Sequence, residues 1–405
     1  IKSCVIGRDG RPSGKQISQC VIDSFHKNGI NVENCGLATT PTMQVMTEKE
    51  HYDGGIVITA SHNPSEYNGL KFLQSDGTFL SPEQCEELFK AVDQNVSIVQ
   101  PDSLGVVSDY STANEEHIEK VLAAMCIDTD NIRKNKFKVV IDCVNGAGSF
   151  ILPMLCEKLG CEVITINCNG NGDFTRIPEP LAENLNELEQ KVLNVGADVG
   201  FATDPDGDRL SIISNKGNAI GEEYTLVLAV KNYLNYQKSI VATNLSTSMM
   251  LESIANETIR TKIGEAHVVQ KMNELNIPIG GEGNGGVILK EVHLGRDSLV
   301  GVTMVLNRMS QSDEPLSEIY QSLPQFTILK DKINIDGIDP EDIIGKATAL
   351  FGNIEKNTLD GVKFIWENKW VHLRKSNTEP IIRIYAEAPD KNQALELIDK
   401  IKSLI

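Results

Sequence analysis

Four short stretches of this sequence gather side chains that can do chemistry. The first, TASHNPSEYNG at 59–69, places Ser61 and His62 just past the apolar run GGIVI, with Lys71 soon after the last glycine. A serine at the carboxyl end of a buried strand, where α/β proteins carry their ligand loops, can be a nucleophile or phosphate carrier. Taken alone, such a hydroxyl more often caps a turn. It lies outside any G-x-S-x-G elbow, which argues against a hydrolase triad. The second stretch, VGFATDPDGDRLSII at 199–213, holds Asp204, Asp206 and Asp208. Residues two apart in extended chain point the same way, so three carboxylates converge and suit a hard divalent cation such as Mg²⁺. An EF-hand reading fails: Arg209 stands where that loop needs glycine, and Asn215 where it needs glutamate. A solvated acidic turn is the plainer alternative, but carboxylates this close repel without a cation.

The third stretch, IGGEGNGGVI at 279–288, has five glycines around Glu282. It lets the backbone approach a ligand closely and offers an acceptor for sugar hydroxyls, although a glycine-rich hairpin would look the same. The fourth, VHLRKSNTEPIIRIYAEA at 371–388, crowds Arg374, Lys375, Ser376, Asn377 and Thr378 into one turn, with Arg383 following on a strand. Guanidinium, hydroxyls and amides there make a nest for a phosphate dianion. A charged surface turn is the bland reading of the same residues.

The elements that must position these loops are alternating strands and helices. SCVIGRDGRPSG, FKVVIDCVNGAGS and SIVATNLSTSMM each run from an apolar strand through a small-residue loop into a helix, at 14–27, 150–159 and 249–255. This repetition predicts parallel sheets covered by helices. The last stretch, from FTILKDKINID to the closing helix NQALELIDKIKSLI, reads as a small α+β domain. The expected fold is therefore α/β in four domains around a central cleft: 1–108, 109–215, 216–325 and 326–405. Connections are expected near 103–110, 213–219 and 322–332, the last a candidate hinge.

Composition agrees with a soluble, multidomain chain. The 405 residues exceed the roughly 250–300 that one core supports. No apolar run approaches the ~18 residues of a membrane span, and IKSCVIGRDG is a strand and loop rather than a signal peptide. Nine cysteines without a CxxC pair predict reduced thiols and a cytoplasmic setting. A net charge of -18 argues against nucleic acid or an anionic membrane as partner. A pocket of opposite local charge still admits a phosphorylated small molecule.

With these motifs in hand, the sequence resembles the α-D-phosphohexomutase family across nearly its whole length. The resemblance rests on GRDGRPSG at 7–14, TASHNPSEYNGLKF at 59–72, DPDGDR at 204–209, GEGNGG at 281–286 and RKSNTEPIIR at 374–383. It implies reversible movement of phosphate between O6 and O1 of a hexose phosphate, through a phosphoserine and a bisphosphate that turns around in the cleft. Ser61 would be the phosphoserine and, with Asp204, Asp206 and Asp208, a ligand to Mg²⁺. Lys71 and His62 would lie beside the transferring group, Lys71 as the acid–base candidate, with Arg8 and Arg209 supporting the phosphate. Glu282 and Asn284 would contact sugar hydroxyls. Arg374, Ser376, Asn377, Thr378 and Arg383 would grip the phosphate that is not reacting.

The family carries a strand and an arginine-bearing loop before GRDGR, whereas this sequence opens in the next strand. It also has Gly286 and Asn284 where relatives often carry a histidine and a serine. TKIGEAHVVQKM at 261–272 is similar to the matching stretch of phosphoglucosamine mutases. The expected reaction is accordingly glucosamine 6-phosphate to glucosamine 1-phosphate, by a monomer or homodimer. Mannose or glucose phosphates are the alternative. Sugar-phosphate binding without turnover is a further one.

Overall fold

The computed structural model describes residues 1–48, 52–94, 101–335, 339–376 and 380–404. Its strands form four sheets. The first comprises β1 (Ser3–Arg8), β2 (Asn31–Leu37), β3 (Gly54–Ile58), β4 (Leu70–Gln74) and β5 (Val107–Asp109). The second comprises β6 (Lys138–Asp142), β7 (Glu162–Ile166), β8 (Val199–Thr203) and β9 (Leu210–Ser214). The third comprises β10 (Val241–Asn244), β11 (Thr258–Thr261), β12 (Ile279–Glu282) and β13 (Gly286–Leu289). The fourth is antiparallel: β14 (Thr327–Asn334), β15 (Glu355–Asn357), β16 (Val362–Trp366), β17 (Lys369–Lys375) and β18 (Ile381–Ala388).

The first three sheets share one plan. Their orders are β4-β3-β1-β2-β5, β7-β6-β8-β9 and β11-β10-β12-β13. In each, the first strand pairs in parallel with the second and third, and the third turns back into an antiparallel fourth. The serine loop joins β3 to β4, the aspartate loop β8 to β9, and the glycine-rich loop β12 to β13. Three of the four chemical stretches thus occupy the same place in three repeats. Parallel strands buried on both faces read as continuous apolar runs, and β6 and β8 are buried almost throughout.

One buried cluster runs from Ile118 through Phe201 and Leu226 to Leu323, so the second and third sheets share a core. It is built across the helices Glu223–Tyr236 and Ser298–Ser310. The fourth sheet packs its own core, including Phe364, Ile384 and Leu397.

Several expected boundaries shift. The helix expected at 150–159 is Gly148–Lys158, and that at 249–255 is Met250–Ile254; that at 14–27 begins and ends as expected. Val107–Asp109 is an edge strand on β2 rather than connection, and from Thr327 the stretch at 322–332 is β14, paired along its length with β18. Both are polar or exposed strands, which sequence periodicity separates poorly from loop. Among the described residues no helix is long and apolar enough to cross a membrane.

Candidate active site

The serine loop is held from below by a residue that sequence reading passed over. Ser61 has a φ of 49°, a left-handed conformation that costs a non-glycine residue roughly 1–2 kcal/mol. Such strain persists only where the surroundings over-determine it. Here Arg11, wholly buried, donates from Nη2 to the carbonyls of Ser61 (2.5 Å) and Asn63 (2.7 Å), and from Nη1 to those of Pro64 (2.5 Å) and Tyr67 (2.9 Å). Its Nε bonds Asp9 Oδ2 at 2.9 Å, and Asp9 in turn accepts from Thr59 Oγ1, which accepts from the Ser61 amide. One guanidinium fork therefore fixes four carbonyls of the loop that presents Ser61. Arg8, by contrast, is turned onto its own strand end, with Nη1 on the Asp9 carbonyl at 2.9 Å.

Ser61 Oγ lies 3.1 Å from Asp204 Oδ2 and 3.3 Å from His62 Nδ1. Asp204, Asp206 and Asp208 are all buried and can offer oxygens within 4.8 Å of one another. A tight turn brings them together, rather than the strand-like alternation expected: Gly207 takes a φ of 71° and its amide bonds the Asp204 carbonyl. Burial and then the Asp208 and Asp206 charges push Asp204 well above the usual carboxylate range. Burial works the same way on Asp206, but the Lys71 charge and hydrogen bonds with Asp204, Lys71 and Thr40 together outweigh it and hold that group below its ordinary value.

Asp206 Oδ1 and Asp208 Oδ1 are buried with no hydrogen-bond partner among the described residues. Three converging carboxylates with two orphaned oxygens are the donor set of a hard divalent cation, so these residues fit one. Lys71 Nζ donates to Asp206 Oδ2 at 2.6 Å and lies 3.7 Å from Asp208 Oδ2. Burial lowers its proton affinity, but the two aspartates raise it further, so Lys71 is an ammonium. Arg209 bonds Glu179 Oε1 at 2.8 Å, and its amide bonds Asp204 Oδ1. Burial and Arg209 lower the proton affinity of His62.

The glycine-rich loop places Glu282 differently from a free acceptor. Its Oε1 accepts from Asn244 Nδ2 at 2.7 Å and the Gly264 amide at 3.1 Å, and its Oε2 from Arg296 Nη1 at 2.6 Å. Asn284 Nδ2 reaches the same Oε2 at 3.5 Å. Glu223, also absent from the sequence reading, sits beneath the loop: a β-carbon on Gly283 would come within 2.1 Å of its carboxylate. Burial pushes its acid up to about 8.

On the fourth sheet, Arg374 and Arg383 are directly opposite across β17 and β18, and Lys332 is opposite Arg383 across β14 and β18. Like charges directly opposite on one sheet face repel, and a row of three cations offers charge to an anionic ligand. Lys332 was missed because only strand register reveals it. The Ser376 amide bonds the Ile381 carbonyl, closing the turn; Asn377 and Thr378 lie outside the described residues.

One cavity of about 740 Å³ is lined by His62, Arg209, Glu223, Glu282, Asn284, Arg296, Lys332, Arg374 and Arg383. Loops from all four sheets therefore meet in a single polar cleft of small-molecule size. Arg8, Ser61, Lys71 and the three aspartates are not among its lining residues.

Three repeated α/β domains and a smaller fourth around one polar cleft are the architecture of a phosphohexomutase. The chain belongs to the α-D-phosphohexomutase family, a family of isomerases. Models of phosphoglucomutase/phosphomannomutase α/β/α domains I, II and III match residues 2–98, 115–217 and 221–326, and the C-terminal domain model matches 336–404. A probable phosphoglucosamine mutase of Methanopyrus kandleri is 34% identical over 99% of this chain and 89% of its own length. A phosphoglucomutase/phosphomannomutase of Thermococcus kodakarensis is 36% identical over 98% and 88%. The crystal structure of a phosphoglucomutase/phosphomannomutase family protein from Burkholderia thailandensis superposes with a TM-score of 0.85 at 24% identity, covering 100% of this chain and 88% of that one.

Proposed function

We propose that this protein interconverts glucosamine 6-phosphate and glucosamine 1-phosphate through a phosphoryl group carried on Ser61. The observation that carries the reading is the Ser61 hydroxyl 3.1 Å from Asp204, which clusters with Asp206 and Asp208, each with a buried oxygen that has no hydrogen-bond partner among the described residues. Asp204, Asp206, Asp208 and Ser61 would hold Mg²⁺. Bound there, it supplies charge neutralisation at phosphoryl oxygens, the main demand of phosphoryl transfer. The Arg11 fork holds the backbone of the loop that carries Ser61. In transfer to the sugar, the Ser61 Oγ–P bond breaks, a bond from phosphorus to the attacking sugar oxygen forms, and the Lys71 ammonium gives a proton to the departing serine oxygen. The sugar hydroxyl proton leaves to solvent or His62. Arg209 adds positive charge at the same point.

The row Lys332–Arg383–Arg374 would hold the other phosphate. It recognises charge rather than a particular ring position, so it accepts the phosphate on O1 or O6. The bisphosphate can therefore bind in either direction, and the serine recovers its phosphoryl group from the opposite end. Glu282 and Asn284 would face the sugar, with Ser376 and its turn completing the anion nest.

The amino sugar is favoured by TKIGEAHVVQKM at 261–272 and by the name of the Methanopyrus relative. The Thermococcus relative's name favours glucose or mannose phosphates as the second reading. Incubation with a hexose 1,6-bisphosphate, followed by intact mass and peptide mapping, tests the phosphoserine. One phosphoryl group on Ser61, discharged by glucosamine 6-phosphate, is expected. A stable phosphoryl group elsewhere, or none, contradicts the reading.

A further inference from the structure

Asp208 and Glu282 belong to loops of different sheets, yet one guanidinium joins them. Arg296, in the segment HLGRDS after β13, donates from Nη2 to Asp208 Oδ2 at 2.7 Å and from Nη1 to Glu282 Oε2 at 2.6 Å. Its Nε lies 3.0 Å from Glu265 Oε2. The side chain passes directly over Gly286, where a β-carbon would lie 2.2 Å from Arg296 Cδ, so the glycine-rich loop leaves the space this arginine crosses. The flanking backbone is pinned to both loops: the Asp297 amide bonds the Val287 carbonyl, and Ser298 Oγ bonds the Gly207 carbonyl at 2.6 Å. Asp208 thus has one oxygen on Arg296, while its Oδ1 has no hydrogen-bond partner among the described residues.

We propose that Arg296 is a positioning residue that couples the cation loop to the sugar loop, its fork shared between Asp208 and Glu282. This rests on the phosphohexomutase reading and its divalent cation. When Glu282 holds less of the guanidinium, more of its charge falls on Asp208 and the cation binds more weakly. By linkage, a cation bound at Asp208 and a ligand bound at Glu282 alter each other's affinity by the same factor. A lysine cannot replace this fork, because one ammonium does not bridge two carboxylates in fixed geometry.

The test is Mn²⁺ binding to the intact protein, followed by electron paramagnetic resonance of free Mn²⁺ without sugar. Glu282→Gln is expected to weaken Mn²⁺ affinity about 5-fold or more in the parent, and less than about 2-fold in an Arg296→Lys background. An equal effect in both backgrounds overturns the coupling and leaves the cation reading intact. No Mn²⁺ binding to the parent overturns both. If Arg296→Lys fails to fold, metal-free calorimetry with glucosamine 6-phosphate carries the test. Asp208→Asn should then change its affinity about 5-fold, and an unchanged affinity refutes the coupling.

Discussion

Replacing Arg11 with lysine should loosen the serine loop far more than its single charge suggests. The parent guanidinium makes hydrogen bonds to the carbonyls of Ser61, Asn63, Pro64 and Tyr67 and to the Asp9 carboxylate, all from a wholly buried position. A lysine keeps the charge facing Asp9 but has a single ammonium, which can serve Asp9 and at most one or two carbonyls. Hydrogen bonds from a charged donor contribute about 1.5–3 kcal/mol each, and neighbouring bonds do not add fully. The net loss is about 3–5 kcal/mol, of the same order as breaking one side of a buried ion pair. Ser61 at a φ of 49° is then free to relax. If about 3 kcal/mol of the loss is local, loop opening rises by a factor of about 150, since each 1.4 kcal/mol is tenfold.

Native-state hydrogen exchange reads this directly at the Asn63 and Tyr67 amides, which bond the Ala60 and Pro64 carbonyls. Their protection should fall by about two orders of magnitude, and phosphoryl transfer to Ser61 should slow with it. Arg8→Lys, which among the described residues removes a hydrogen bond to the Asp9 carbonyl, should leave loop exchange almost unchanged. Unaltered exchange and unaltered transfer in a folded Arg11→Lys protein would refute the account of how this loop is held.

Other perturbations have equally definite outcomes. His117 Nε2 bonds Asp297 Oδ2 at 2.9 Å and its Nδ1 meets Thr42 Oγ1, all buried. His117→Ala should destabilise by about 3 kcal/mol, seen in chemical unfolding; a loss under about 1 kcal/mol would contradict this. Glu223 has its acid raised to about 8 by burial, so the proton is held more tightly folded than unfolded. Its contribution to stability is complete below the ordinary glutamate value and is lost as pH rises through about 8. Glu223→Gln should therefore gain stability relative to the parent between pH 5 and pH 8.5, and a constant difference would refute the shift. Removing divalent cations with a chelator should lower the thermal unfolding midpoint, and Mg²⁺ at about 100 times its dissociation constant should restore about 2.7 kcal/mol. The same titration should have little effect in Asp206→Asn. Lys332→Ala should weaken glucosamine 6-phosphate binding without altering Mn²⁺ affinity, whereas equal loss of both would remove Lys332 from the phosphate row.

The parts of this site legible in sequence are those whose chemistry is local. Three aspartates within five residues, a serine past an apolar run and a basic turn all declare themselves by composition. The three-fold repetition was visible as strand–loop–helix stretches at β1, β6 and β10, but the chemical loops lie elsewhere, between the third and fourth strand of each repeat. Residues acting across long separations were not legible. Arg11 reaches carbonyls 50 to 56 residues away only because β1 lies beside β3. Lys332 joins Arg383 and Arg374 only through antiparallel register. Arg296 stood in a segment with no recognisable motif, and its two partners lie on hairpins of different sheets. Arg8 illustrates the converse: the charge is where the motif puts it, but its guanidinium bonds its own strand end.

The central claim is that Ser61 relays phosphate between the two ends of an amino sugar phosphate. Phosphorus NMR of glucosamine 6-phosphate, mannose 1-phosphate and glucose 1-phosphate in parallel, with Mg²⁺ and a trace of sugar bisphosphate, tests it most directly. A new 1-phosphate signal from glucosamine is expected, forming faster than conversion of the other two and absent in Ser61→Ala. Faster conversion of mannose or glucose phosphate would contradict the choice of sugar, and undiminished turnover in Ser61→Ala would contradict the phosphoserine itself.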